Sequence, residues 1–290
     1  MLWIPITIGA AALQVARNGL QRGLMAGAAP WGATLVRFLF GLPFSLLFAA
    51  VALAVTPGVR LAVDARFFVA CALGGAAQIV ATAALLVSMR RSSFALGTVF
   101  QQSGIPLAAV LGLAFGDRLH AGQWLGLVLV AAAIGVLGWP RGRVVDWSAA
   151  LFGLLAGFGF ALAANAYRQG ALGLDARHPF LAAQVTLVCV QALQSAALVA
   201  WLAAVDRTAL AAVFRTWRPS LGAGFFGAAA SGLWFTAFAL SPAGPVRAVG
   251  VVEAPIAALA GRRWFAERLT LGQWSAGAAA AVGVALAALG

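Results

Sequence analysis

What most limits the fold of this chain is a repeated run. Stretches of about twenty predominantly apolar residues, the length of helix that crosses a hydrocarbon core about 30 Å thick, recur along the whole sequence with only short polar punctuation between them. Of the 290 residues, 63% are hydrophobic and 9% charged, whereas soluble domains carry about 25% charged residues. No water-soluble core could hide that much apolar surface, so lipid is the expected solvent. Segments of a β-barrel would alternate apolar and polar over about ten residues. The continuous Ala, Leu, Gly and Val runs here point to helices instead.

Arg, Asp, Pro and Gly punctuation divides the runs into ten expected transmembrane helices. Five fall near 3–23, 31–55, 66–88, 93–115 and 121–139, and five more near 147–171, 179–203, 219–240, 244–265 and 270–289. The fold class is therefore all-α and polytopic. The first segment contains Gln14, Arg17 and Asn18 and lacks a basic leader, so it is expected to be a retained helix.

Net charge is +12, from 19 arginines and no lysine against seven acids. Most of these arginines stand in loops or at helix ends, which suits membrane anchoring. No basic patch interleaved with aromatics lies outside the spans, so nucleic acid is not an expected partner. Cys71 and Cys189 fall within separate spans without a CxxC pattern and are read as packing residues, with no metal site or cofactor implied.

Phe115-Gly-Asp-Arg-Leu-His-Ala-Gly-Gln-Trp124 recurs 150 residues later as Phe265-Ala-Glu-Arg-Leu-Thr-Leu-Gly-Gln-Trp274. Asn18, Gly23 and Arg37 likewise stand 147 residues before Asn165, Gly170 and Gln184. Two copies of a five-helix unit follow, residues 1–140 and 141–290, within one membrane domain. Five is odd, so the second copy enters from the opposite side and the repeats are inverted, an arrangement that transporters use to place a midplane site between two nearly equivalent end states. The acid-Arg pairs Asp117-Arg118 and Glu267-Arg268, each followed by Gly-Gln-Trp, read as interfacial turns, with Trp124 and Trp274 at headgroup level.

These paired segments, with Pro106 and Pro255 ahead of them, resemble the hallmark of the drug/metabolite transporter superfamily, in particular its EamA-type ten-helix members. The resemblance implies ten helices around a central cavity, a multi-pass location in the bacterial inner membrane, and export of amino acids or related metabolites. YddG-type exporters of aromatic and other neutral amino acids are the best comparison, although a single Tyr and an acid in the ninth span depart from them.

A charge at a helix centre costs about 2.5–3.5 kcal/mol on insertion scales, so polar residues inside spans are the candidate site. Gln14, Arg17, Asn18 and Gln21 share one face of the first span. Arg37 lies in the second, Gln78 and Thr82 share a face of the third, and Gln101 precedes Pro106 in the fourth. Asn165, Tyr167 and Arg168 occupy the sixth span, Gln184 the seventh, and Trp234 and Phe238 one face of the eighth. Either these residues line a wet cavity or they form hydrogen-bonded helix seams. Glu253 stands well inside the ninth span, as a proton carrier or as half of an ion pair with Arg17 or Arg37. Gly153, Gly157 and Ala161 are read as close-packing residues.

The expected activity is secondary-active export by alternating access, from a monomer, with a small solute and membrane lipid as partners and protons as the candidate coupling ion. Its alternatives are a lipid flippase and a membrane-embedded enzyme. The second is disfavoured because His120 and His178 stand at span ends and no HExxH, GxSxG or P-loop occurs. Arginine counts put six at the terminal side and eleven at the other, favouring both termini outside, while the resemblance implies both inside.

Overall fold

The computed structural model describes residues 1–24, 30–91, 100–138 and 146–253, with 256, 282–283 and 286–287. The hallmark copy at 265–274, Pro255 and most of the expected tenth span lie outside the described residues. So do the side chains of Asn18 and Gln21, the partners of Gln14 and Arg17 on the polar face of the first span. The described chain is all-helical, without a strand among the described residues.

The elements are α1 (Trp3–Leu24), α2 (Pro30–Leu39), α3 (Leu42–Val55), α4 (Ala65–Arg91), α5 (Gly104–Ala114), α6 (Ala121–Gly138), α7 (Trp147–Asp175), α8 (Pro179–Val205), α9 (Arg207–Arg215), α10 (Trp217–Leu240) and α11 (Ala243–Val249). A 3-10 turn follows at Gly250–Val252. Five described segments are long and apolar enough to cross a bilayer: Thr34–Val55, Ala65–Ser88, Trp147–Asp175, Pro179–Val205 and Trp217–Leu240. Their exposed faces are apolar, with Leu46, Leu47, Val51 and Leu53 on α3 and Val69 and Leu73 on α4 all open to the surroundings. Patches of this kind are rare on water-soluble monomers and suit contact with lipid tails.

Two compact units emerge, and each takes one stretch from each half of the sequence. The first comprises Leu2–Ile79 and Ala166–Leu240, the second Val80–Asn165 and Ser241–Gly290 together with Met1. In the first unit α10 packs against α1, α2, α3 and α8, while α9 sits on α2 and α8. Leu35, Val36, Phe38, Leu198, Leu202 and Val213 form one of its buried clusters. In the second unit α5, α6 and α11 pack on one another around Ile105, Ala109, Leu127, Val130 and Ala248.

The expected second span is interrupted at Phe40-Gly41. Pro43 cannot donate to the carbonyl of Leu39, so the ladder breaks and a new helix begins at Leu42. Gly41 also lets this corner approach α10. A Cβ there would stand 3.4 Å from the Gly224 carbonyl oxygen and 2.7 Å from that of Arg37.

The hallmark at 115–124 is a helix stop followed by a helix start. Gly116 has φ +84°, and α5 ends in a Schellman motif, its Gly116 N–H donating to Leu113 O at 3.1 Å and the Asp117 N–H to Gly112 O at 3.0 Å. Gln123 then reaches back so that its Oε1 accepts the His120 N–H at 3.0 Å, the reciprocal half of a capping box at the start of α6. Trp124 is partly buried against the second unit's core. Gly116, the Asp117 backbone and the Gln123 side chain thus build a corner between α5 and α6.

Pro106 stands in the first turn of α5, directly after a break at Gln102-Ser103. The Gln102 carbonyl, which a prolyl nitrogen cannot serve, accepts the Ile105 N–H at 3.0 Å. Residues 207–215, expected to be loop, form the short helix α9, capped by Asp206, whose Oδ1 accepts the Ala209 N–H at 2.9 Å.

Candidate functional site

The candidate residues fall into groups that do different things, and the units separate them. In the first unit α1 and α10 run antiparallel, since Leu20 meets Gly222, Arg17 meets Gly227 and Gln14 meets Trp234 in succession. Trp234 Nε1 donates to Gln14 Oε1 at 3.1 Å. One helical turn along, Arg17 is only 6% exposed. Gly227, Ser231, Trp234 and Phe238 share one face of α10, and the Trp234 and Phe238 rings stack at 5.7 Å with planes 25° apart. Arg168 Nη1, from α7, donates to the Phe238 carbonyl at 2.8 Å and so closes one end of this face.

Arg37 on α2 joins the same region. Its Cγ lies 3.6 Å, and the Cδ of Arg17 3.5 Å, from the point that a Cβ on Gly227 would occupy. The aliphatic stems of both arginines therefore lie along the strip of α10 that glycine leaves open. The guanidinium carbon of Arg37 stands 5.3 Å from the Phe38 ring centroid.

A second polar group in this unit is hydrogen-bonded between helices. The Tyr167 hydroxyl has two acceptors for its single proton, Gly74 O at 2.9 Å and Gln78 Oε1 at 3.0 Å, and Gln194 Nε2 donates to the same Gln78 oxygen at 2.8 Å and to Gly75 O at 3.1 Å. The Tyr167 ring stacks on Phe235 at 4.1 Å. Gln184 Nε2 bridges α8 to α10 through Gly232 O and Thr236 Oγ1, both at 3.2 Å. Gln78, Tyr167 and Gln184 thus all make interhelical hydrogen bonds. Cys71 and Cys189, assigned by sequence to unrelated helices, sit side by side with their thiols hydrogen-bonded and unoxidised.

In the second unit the Asn165 amide donates to Ala108 O at 2.9 Å and to Ala161 O at 3.0 Å, tying α7 to α5. Gly153 and Gly157 take up the close contacts expected of them, against Phe100 and against Gly104. Thr82 and Gln101 are half-buried in this unit. Glu253 is half-buried as well, and Arg247, six residues before it, lies within electrostatic reach. The Arg247 guanidinium carbon lies 5.9 Å from the Phe160 ring centroid.

Sequence reasoning passed over Gln191 and Gln194, both buried on α8. They follow Gln184 by seven and ten residues, one helical face, and three amides at that spacing in an apolar run were a readable signal. It also passed over Gly227, which has no property that sets it apart from the chain's 33 other glycines until its neighbours are known.

No family model matches this chain, and no curated protein matches it. Twenty-eight chains among solved structures do. One of them, described only as a crystal structure of a protein, aligns with 100% of this chain over 99% of its own length, at TM-score 0.69 and 19% sequence identity. At that identity the likeness establishes the fold alone.

Proposed function

We propose that this chain is a multi-pass membrane transporter that moves a small solute, an amino acid or related metabolite, by alternating access. In this reading it is a ten-helix protein of two inverted repeats and a member of the EamA-type drug/metabolite transporters. The observation that carries the reading is Arg17, buried on the polar face of α1 against α10 among long helices that expose many apolar side chains. Retaining a guanidinium at such depth costs free energy that a purely structural helix avoids by using an apolar residue. The stacked Trp234 and Phe238 rings beside it supply a flat apolar wall, and Gln14 and Arg168 supply polar groups at fixed positions, a combination suited to an amphipathic solute.

The repeated hallmark supports the inverted-repeat part of the reading. Thr270 and Gln273 in its second copy keep the three-residue spacing that His120 and Gln123 use to start α6. A flippase would need the same wet face to accept a lipid headgroup, and no described feature favours it over the solute reading.

The direct test is reconstitution of the purified chain in liposomes with radiolabelled amino acids, with and without a pH gradient. Saturable uptake that Arg17→Gln reduces supports the proposal. Protein-free rates for every solute, from vesicles shown to contain folded protein, reject it.

A further inference from the structure

The short helix α9 joins two segments long and apolar enough to cross a bilayer, Pro179–Val205 and Trp217–Leu240. The chain turns at Asp206 and again at Thr216, so that α9 packs back on α2 and α8. Its inner face, Ala209, Leu210 and Val213, joins the buried cluster of Leu35 and Phe38 from α2 and Leu198 and Leu202 from the last two turns of α8. Those turns rise about 10 Å. With the end of α8 at the membrane surface, α9 therefore lies at the depth where amphipathic helices sit between headgroups and acyl chains.

The outer face of α9 is of another kind. Arg207 and Phe214, and Thr208 and Arg215, stand two helical turns apart and so share it, and all four are exposed. Trp217 and Arg218 follow at the start of α10, exposed as well, with the Arg218 guanidinium carbon 5.3 Å from the Trp217 ring centroid. Trp201, one turn before the end of α8, is 51% exposed and leans on Trp31 at the start of α2, ring centroids 6.4 Å apart. Aromatic rings and arginines thus gather where α2, α8 and α10 end, the placement that amphipathic side chains take at a headgroup layer.

The charge at this end is lopsided. Between residues 201 and 220 three arginines, Arg207, Arg215 and Arg218, stand against one acid, Asp206. That acid is engaged in capping α9, its Oδ1 accepting the Ala209 N–H at 2.9 Å and the Thr208 hydroxyl at 2.7 Å. The helices that pack on α9, α2 and α8, contain no Asp or Glu, and neither does α10. Arg207 Nε donates to the Ala203 carbonyl at 3.0 Å, a neutral partner that leaves its charge in place. At the other end of α8, 27 residues or about 40 Å away, Arg60, Arg66 and Arg177 are interleaved with Asp64 and Asp175.

We infer that the outer face of α9, continued by the start of α10, docks the headgroups of anionic phospholipids, with Arg207, Arg215 and Arg218 meeting phosphate oxygens and Trp201, Phe214 and Trp217 entering the acyl boundary. This rests on the chain being a membrane protein and needs nothing of what it transports. A guanidinium stays charged at physiological pH and presents paired N–H donors that match phosphate oxygens. Each basic residue held near an anionic bilayer surface strengthens binding about fivefold.

The test uses the purified full-length protein in a neutral detergent and reads its melting temperature as phosphatidylglycerol or phosphatidylcholine of the same acyl chains is added. Phosphatidylglycerol is expected to stabilise at lower concentration, and molar salt to narrow the difference by screening. Arg215→Gln combined with Arg218→Gln should raise the half-saturating phosphatidylglycerol concentration roughly twentyfold, two arginines at about fivefold each. Arg60→Gln combined with Arg177→Gln removes the same charge from exposed positions at the other end and should leave the preference intact. The wild-type comparison of the two lipids needs no variant to fold.

Equal stabilisation of the wild type by both lipids, an undiminished preference in the α9 variant, or the same loss in the control variant overturns the inference. So does stabilisation by inorganic phosphate that matches phosphatidylglycerol, because a free ion needs no lipid surface. Alkaline carbonate washing of native membranes separates the inference from the reading beneath it. Release of the chain into the wash would overturn the membrane reading, whereas retention without a lipid preference would overturn the α9 surface alone.

Discussion

Gly74 and Gly227 are both helix-face glycines, yet the absence of a side chain serves different ends at the two positions. At Gly74 it admits the Tyr167 ring, whose Cε1 would lie 2.5 Å from an added Cβ and whose hydroxyl bonds the Gly74 carbonyl. At Gly227 it leaves a strip along which two arginine stems lie in ordinary contact. Gly74→Ala should therefore lower stability by about 1–3 kcal/mol, the usual cost of overpacking, with solute affinity unchanged in molecules that remain folded. Thermal melting in detergent and a binding isotherm check the two halves of that expectation. Gln78 offers a parallel case. Its Oε1 takes two donors, so Gln78→Leu leaves the Tyr167 hydroxyl and the Gln194 amide to the Gly74 and Gly75 carbonyls alone, a loss of about 0.5–1.5 kcal/mol for each net hydrogen bond removed. A melting shift without a change in transport KM would assign Gln78 to the seam, and a raised KM at constant melting temperature would return it to the solute path.

At the scale of elements, the corner between α5 and α6 shows why the hallmark has the residues it has. A left-handed Gly116 ends one helix, Asp117 continues the Schellman bonds, and Gln123 starts the next helix. No atom lies within 4 Å of the place where a Cβ on Gly116 would stand, so Gly116→Ala should cost only the left-handed conformation, about 1–2 kcal/mol. Chemical or thermal unfolding of the variant measures it. The cap of α9 makes a pH-dependent prediction. The Ala209 N–H first, and the Thr208 hydroxyl after it, hold the Asp206 carboxyl below the ordinary carboxylate range. A carboxyl with a lowered folded pKa contributes stability that is present above its unfolded value of about 3.9 and is lost as pH falls through the lowered folded value. Asp206→Asn should therefore flatten the acid limb of the melting profile while keeping a serviceable cap at neutral pH. An acid limb identical to wild type would remove Asp206 from that role.

Among the described residues, apolar side chains fill the cores and also cover much of the exposed helix surface, while a smaller polar set, Arg17, Asn165 and Gln184 among it, is buried between helices. Each compact unit is drawn from both halves of the chain, and the boundaries between them fall inside α4 and α7. Glu253 and Arg247, both half-buried, belong to the second unit and lie within electrostatic reach of one another, so each offsets part of the other's desolvation. Glu253→Gln removes one partner, so it should destabilise the protein while leaving the pH dependence of uptake in place. Loss of that pH dependence in a normally stable variant would make the carboxyl a proton carrier instead.

The sequence by itself determined the helical class and the presence of helices long and apolar enough to cross a membrane. Runs of apolar residues as long as a bilayer is thick force helices, and their boundaries near 65, 88, 147, 179, 205 and 240 were readable because Pro, Asp and Arg punctuate them. The break at Phe40-Gly41 and the helix at 207–215 were harder to see, since Pro43 sits within an apolar run and α9 is a nine-residue amphipathic segment between two longer apolar runs. Which polar residues act together was decided only by tertiary structure. Gln14, Gln78, Gln184 and Arg17 look alike in one dimension, each an uncommon polar group among Ala and Leu, and helix periodicity reports which face a residue occupies without saying what stands opposite. Only the packing of α10 against α1, α2 and α8 spends Gln184 in a seam and brings Arg17 and Arg37 to one glycine, because a hydrogen bond or a shared contact depends on distances between segments that lie up to about two hundred residues apart in the chain.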